Sequence, residues 1–225
     1  MIHNMLKEYM SAINCMEDKE YLFARIAYYI APTLVDHKPS TIITLNQDGR
    51  NCYMLWDLYK EEFKKRYGIE CYEMRRKENG ITILFYQTQA LKDVIYEREN
   101  MQFLKGFGYE EKMSIEECLG ILKGRFESIC PHEIGIFLGI PLEDVITFIE
   151  CPNKECLLCG YWKAYSNIED CRIKFFSYDR AKKNVIQAVL KGIDLSMFVR
   201  QTRVYPNIIQ IKVHTGNANL LKGIM

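Results

Sequence analysis

Ile69-Glu-Cys-Tyr-Glu-Met-Arg-Arg-Lys-Glu-Asn-Gly-Ile-Thr-Ile-Leu-Phe-Tyr-Gln87 decides the fold class. Two strand-like runs, Ile69 to Arg75 and Ile81 to Gln87, flank Lys77-Glu-Asn-Gly80. Asn-Gly supplies the positive φ angles that a tight hairpin turn needs. The second run, Ile81-Thr-Ile-Leu-Phe-Tyr86, is apolar on both faces, as expected of a central strand covered from two sides. Thr41-Ile-Ile-Thr-Leu45 is short, β-branched and bounded by turn residues, and reads as a further strand.

Around these strands the apolar spacing is helical. Residues 4–30 predict one or two helices with Leu22, Ile26 and Tyr29 on one stripe, ended by Ala31-Pro32. Asp48-Gly49 opens a helix over about 50–66, closed by Gly68, and Thr88 caps another that runs to about 105 before Gly106-Phe-Gly108. Ser114-Ile-Glu-Glu117 and Ser166-Asn-Ile-Glu169 both have the capping-box pattern, the second opening a helix to about 191. Pro131 to Phe137 and Pro141 to Glu150 predict two short helices around Gly139-Ile140, and Leu157 to Tyr165 reads as one strand. Helices and strands mix without regular βα alternation. The expectation is α+β: a single domain over 1–199, with a mixed or antiparallel sheet of about three to five strands packed with several helices. From Arg200 the chain has four basic residues and no acidic one, so 200–225 reads as a basic tail or an edge element, with Ile208–Val213 as the edge strand.

The chain has 225 residues, 48% of them hydrophobic, enough to exclude a disordered class. No apolar run reaches the ~18 residues of a membrane span. Thirty basic residues against 29 acidic ones give a net charge of +1, so no nucleic-acid partner is expected. Met1-Ile-His-Asn-Met-Leu-Lys-Glu8 does not read as a signal peptide. The nine cysteines, an odd number scattered singly through apolar segments (Cys15, Cys52, Cys71, Cys118, Cys130), suit reduced thiols in a cytoplasmic protein.

Three stretches carry a resemblance: Ala31-Pro-Thr-Leu-Val-Asp-His-Lys-Pro-Ser40, Pro131-His-Glu-Ile-Gly-Ile-Phe-Leu-Gly-Ile-Pro-Leu-Glu-Asp-Val145, and Gly160-Tyr-Trp-Lys-Ala-Tyr165 with Phe175 and Tyr178 beyond it. Together they resemble the APTL…KPS, PHEIGxFLGxPLEDV and GYWKxY signatures of a bacterial family, a domain of unknown function associated with anaerobic Gram-positive bacteria. The resemblance covers about residues 20–199, with Ile140 and Ala164 where Tyr and Val are expected. It implies a bacterial, cytoplasmic, one-domain protein and brings no activity with it.

Within these stretches several patterns suggest chemistry. His132-Glu133 lacks the second histidine of a metalloprotease helix, since Ile136 stands there. Glu133 to Val145 also looks like a helix-turn-helix, but its second helix carries Glu143, Asp144 and Glu150 and no base, and these carboxylates would repel phosphate. The alternative is an αα-hairpin that packs Ile136, Leu138, Val145 and Phe148 into the core. Cys151, Cys156 and Cys159 form the densest cysteine cluster, with Cys171 or Cys130 needed to complete a metal site. Strand alternation would split the Cys156–Cys159 pair, so ordinary thiols are favoured. No phosphate-binding glycine loop or hydrolase elbow is present, and Gly106-Phe-Gly108 has Glu111 where a third glycine would fall.

Lys38 and Ser40 before one strand, and Trp162, Lys163 and Tyr165 on another, offer cations and flat ring faces that could converge. The leading expectation is a small anionic or aromatic ligand held by Lys38, Ser40, Glu133, Trp162 and Lys163. His132 or Tyr165 would be the proton-transfer group if there is a reaction. The alternatives are a non-enzymatic protein-interaction module and a cysteine-ligated metal or redox protein. The cofactor is unknown.

Overall fold

In the computed structural model the described residues are 2–35, 37–128 and 131–204, side chains excepted at 2, 3, 127, 128 and 204. The segment 205–225, with the expected strand at Ile208–Val213, lies outside them, as does Cys130.

The hairpin is present. β2 (Glu70–Lys77) pairs antiparallel with β3 (Gly80–Tyr86), with Lys77 opposite Gly80 across a two-residue turn. β1 (Ser40–Asn46) pairs antiparallel along the other edge of β3, giving the order β1-β3-β2. β3 is therefore central, and side-chain alternation sends its residues into two cores. Ile81, Ile83 and Phe85 enter one core together with α1 (Ile2–Asn14), α2 (Asp18–Tyr29), α4 (Asp48–Tyr67), α10 (Ile168–Leu190) and α11 (Leu195–Val204). Leu84 and Tyr86 enter the other, with α5 (Thr88–Ile95), α6 (Arg98–Lys105), α7 (Ile115–Ser128), α8 (Ile134–Phe137) and α9 (Leu142–Glu150). Each fully buried aliphatic or aromatic side chain on β3 contributes roughly 1.5–3 kcal/mol. The architecture is one α+β domain, and no helix of the described residues is long and apolar enough to cross a membrane.

Local chemistry explains where the sequence expectations held. The Ser114 amide donates to Glu117 Oε2 at 2.6 Å and the Glu117 amide to Ser114 Oγ at 3.2 Å, so this capping box forms before α7. Four expectations need correction. Pro32 does not simply end a helix: it sits in the first turn of a short new one, α3 (Ala31–Leu34), where its missing N–H costs nothing. The helix expected over 88–105 is two, broken at Tyr96-Glu97, where Asn100 donates to Val94 O at 2.8 Å and to Glu97 Oε2 at 2.9 Å. Leu157–Tyr165 is a small hairpin, β4 (Leu158–Cys159) with β5 (Lys163–Ala164), rather than one strand. A Cβ at Gly160, in its turn, would overlap the Phe175 ring. The second capping box does not form: Asn167 adopts the left-handed conformation and makes no side-chain cap, while Ser166 turns to Asp144.

α8 and α9 form the expected αα-hairpin. Ile136 and Val145 are buried and Leu138 is half-buried, but Phe148 is exposed. Its turn residue Gly139 has φ +74°, and a Cβ there would lie 2.7 Å from Pro39 Cδ and 2.9 Å from Cγ. Left-handed strain and overpacking act together at this position. Gly139→Ala should therefore lower unfolding stability by about 2–4 kcal/mol, read from urea denaturation. An unchanged midpoint would show that the Pro39 contact is not tight.

Candidate functional site

The three signature stretches meet, and most of what joins them is structural. Ser40 donates its hydroxyl to Phe137 O at 2.6 Å, and Pro39 packs against Gly139, so β1 is tied to the α8–α9 turn. The third stretch is tied to α9 by Asp144, which is 1% exposed. Trp162 Nε1 donates to its Oδ2 at 2.8 Å. The Tyr165 and Ser166 amides donate to Oδ1 at 2.7 and 3.1 Å, and the Ser166 hydroxyl lies 3.4 Å from the same oxygen. The Cys171 thiol approaches Oδ2 at 3.9 Å. Burying a carboxylate is costly unless its lone pairs are filled. Here N–H donors fill them, and the first turn of α9 places the charge at the favourable end of the helix dipole.

This arrangement changes the reading of the helix-turn-helix pattern. Asp144 does not face outward as the repulsion argument supposed; Glu143 and Glu150 do. It also fixes Trp162, which is 8% exposed, has its N–H engaged, and stands edge-on to Phe175 at 4.4 Å between centroids. Tyr165 is buried, with the Lys154 ammonium 5.9 Å from its ring centroid.

Glu133 is fully buried and accepts from Arg125 Nε and, at 3.4 Å, from Arg125 Nη2. The guanidinium stacks over Phe107 at 4.9 Å. The buried Tyr109 hydroxyl has no hydrogen-bond partner among the described residues, and burial, then the charge of Glu133, pushes its pKa up. His132 and Lys163 are both exposed. They share a neighbour, Phe148, whose ring lies 5.4 Å from the imidazole and 6.0 Å from the Lys163 ammonium.

Lys38 stands in a different setting. It is half-buried, and no carboxylate among the described residues pairs with it. The backbone on both sides is pinned: the His37 amide donates to Pro32 O at 2.9 Å and the Gln87 amide to Pro39 O at 3.1 Å. Burial, then the like charge of Lys182 on α10, lowers the Lys38 pKa from 10.5 to about 8. The Lys182 ammonium sits 4.7 Å from the Tyr161 ring centroid and 5.7 Å from that of Tyr28. Burial also lowers its pKa, partly offset by Asp179. Tyr161 donates its hydroxyl to Asp179 Oδ1 at 2.8 Å. The Lys182 cation and two ring faces from α2, the β4–β5 turn and α10 thus converge, with Lys38 on the α3–β1 link within reach of the Lys182 charge.

Of the residues expected from sequence, Lys38 alone belongs to this cluster. Lys182, Tyr28, Tyr161 and Asp179 were not singled out. Tyr161 lies inside the quoted third stretch, and its ring shares Phe175 with that of its neighbour Trp162. Lys182 looks like any base on an amphipathic helix.

Among the described residues no group of three or more His, Cys, Asp or Glu side chains could hold a metal ion. Cys151 and Cys159 are exposed, Cys156 is half-buried, and the buried Cys171 thiol faces Asp144 and the Ser166 carbonyl. A surface hollow of about 300 Å³ lies beside Gly139, Pro141, Asn167 and Lys174, and one of about 500 Å³ beside Tyr96, Arg98, Lys105 and Glu111. Neither is lined by Lys38.

A family model described as "Protein of unknown function (DUF3793)" matches residues 26–199. No curated protein and no solved structure matches the chain.

Two outcomes follow from the geometry. Asp144→Ala strands the Trp162, Tyr165 and Ser166 donors and should cost at least about 3 kcal/mol of unfolding free energy, measured by urea denaturation. Lys38 keeps its proton to about 10.5 in the unfolded chain and releases it near 8 in the folded one. Between these values the unfolded state binds more protons, so stability should rise with pH, by on the order of 2 kcal/mol. Buried tyrosines with raised pKa values act in the opposite sense at the upper end, so the measured quantity is wild type minus Lys38→Met. A flat difference from pH 8 to 10 would contradict the assignment.

Proposed function

The chain belongs to the DUF3793 family, whose description carries no activity, and from that premise we propose that it binds a small anion with a flat apolar body between Lys38 and Lys182. The observation that carries this reading is a pair of half-buried lysines, of which Lys38 feels the like charge of Lys182, while Asp179 beside Lys182 is already engaged by Tyr161. Two like charges brought together out of water repel, and an anion between them would relieve that cost. Tyr161 and Tyr28 supply the ring faces for the apolar body. In this reading the stacking group is Tyr161 rather than Trp162, and Ser40, Glu133, Trp162 and Tyr165 hold the frame. His132 and Lys163 form a separate surface pair beside Phe148. The setting proposed is bacterial and cytoplasmic, the first from the family resemblance and the second from buried thiols at Cys52, Cys118 and Cys171 that pack as small apolar groups.

The second reading, a non-enzymatic interaction module, draws on Ile173 and Phe176, three apart on α10 and both about two-thirds exposed. It commits to a second copy of this chain as partner. It expects concentration-dependent dimerisation that Phe176→Asp abolishes, seen by sedimentation.

Phenylphosphate is the probe for the first reading, because it joins an anion to a ring. Titration calorimetry should show saturable binding that weakens roughly 10- to 100-fold in Lys182→Met and in Lys38→Met, the loss of one charge-assisted contact each. Equal affinity in wild type and both variants would overturn the proposal.

A further inference from the structure

We infer that the hollow between the α5–α6 break, the α8–α9 turn and the start of α10 binds a zwitterion, a branched aliphatic α-amino acid. Lys38 does not line this hollow, and the inference stands independently of the anion-binding reading. The volume of about 300 Å³ is at the small end of the range for small-molecule sites. Val94, Ile140 and Leu142 give the hollow an apolar lining.

Three helices begin here. Glu99 and Asn100 belong to the first turn of α6, Leu142 and Glu143 to that of α9, and Asn167 stands directly before α10. None of the three starts has a side-chain cap. Each helix start carries about half a positive charge and amides without intrahelical partners. Lys174 adds a full positive charge and makes no ion pair among the described residues. Against these stand the carboxylates of Glu97, Glu99 and Glu143. The two signs nearly offset. A ligand of either sign alone therefore gains little, whereas a ligand with both poles can use both.

An independent observation is Asn100, which is 6% exposed. Its Nδ2 donates to Val94 O at 2.8 Å and to Glu97 Oε2 at 2.9 Å. Two acceptors fix the orientation of the amide, so Oδ1 is the atom left over. Oδ1 accepts no hydrogen bond among the described residues, and Asn100 lines the hollow. A fixed acceptor set among carboxylates suits an ammonium with its three donors. Lys174 and the uncapped start of α10 suit a carboxylate. A branched aliphatic side chain then buries its surface on Val94, Ile140 and Leu142.

Titration calorimetry of the full chain with L-leucine is the test. Saturable binding is expected. Isocaproate, which lacks the ammonium, and isoamylamine, which lacks the carboxylate, should each bind at least about tenfold more weakly. Lys174→Met and Glu143→Gln, both at exposed positions and checked for folding by circular dichroism, should each weaken L-leucine binding by a similar factor. Failure of L-leucine, L-isoleucine and L-valine all to bind saturably overturns the inference. So does an affinity for L-leucine that neither variant changes, which places the ligand elsewhere. Isocaproate or isoamylamine binding as tightly as L-leucine also overturns it, since the site then reads one charge only.

Discussion

A buried carboxylate without an ion-pair partner among the described residues holds the architecture around the candidate site together. Asp144 fills its lone pairs with the Trp162 indole N–H and the Tyr165 and Ser166 amides. Because those donors come from the β4–β5 hairpin and the start of α10, the contact fixes α10 relative to α9. α10 in turn carries Lys182 and Asp179. The cation pair thus depends on a hydrogen-bond cluster that takes no part in it.

A second constraint comes from the other end of the α8–α9 hairpin. Pro39 and Ser40 dock on Gly139 and Phe137, which sets where Lys38 emerges. The two ties place one lysine on the α3–β1 link and the other on a helix more than a hundred residues later in the chain. Coulomb repulsion between such groups is strong only where water is scarce, and both are half-buried. Packing that serves stability thereby produces a locally electropositive, partly dry environment bordered by tyrosine rings.

Residues that attract notice in the sequence are divided by the fold into separate jobs. Trp162 and Glu133 look like binding groups because large aromatic and charged side chains in a motif invite that reading. Their surroundings show an indole committed to Asp144 and a carboxylate committed to Arg125. Tyr161, the neighbour of Trp162, packs on the same Phe175 ring but also carries the Lys182 ammonium over its face. One residue's step along a turn separates a framework group from a candidate ligand-facing one. The Ser166-Asn-Ile-Glu169 pattern makes the same point: it has the residue types of a capping box, yet Ser166 is drawn to a carboxylate from a distant helix.

The sequence alone determined what depends on short range. The hairpin around Glu78-Asn79, the central position of β3, the Ser114 cap and the Gly139 turn all follow from dihedral preference and apolar periodicity within a few residues. It also marked Lys38 as a cation at the mouth of a strand. Tertiary structure alone decided which distant groups share a space: Lys182 with Tyr28 and Tyr161, Asp144 with Trp162, Arg125 with Glu133. Charge and hydrogen-bond partnerships between elements leave no periodic trace in a single chain, because their energies depend on distance and burial after packing.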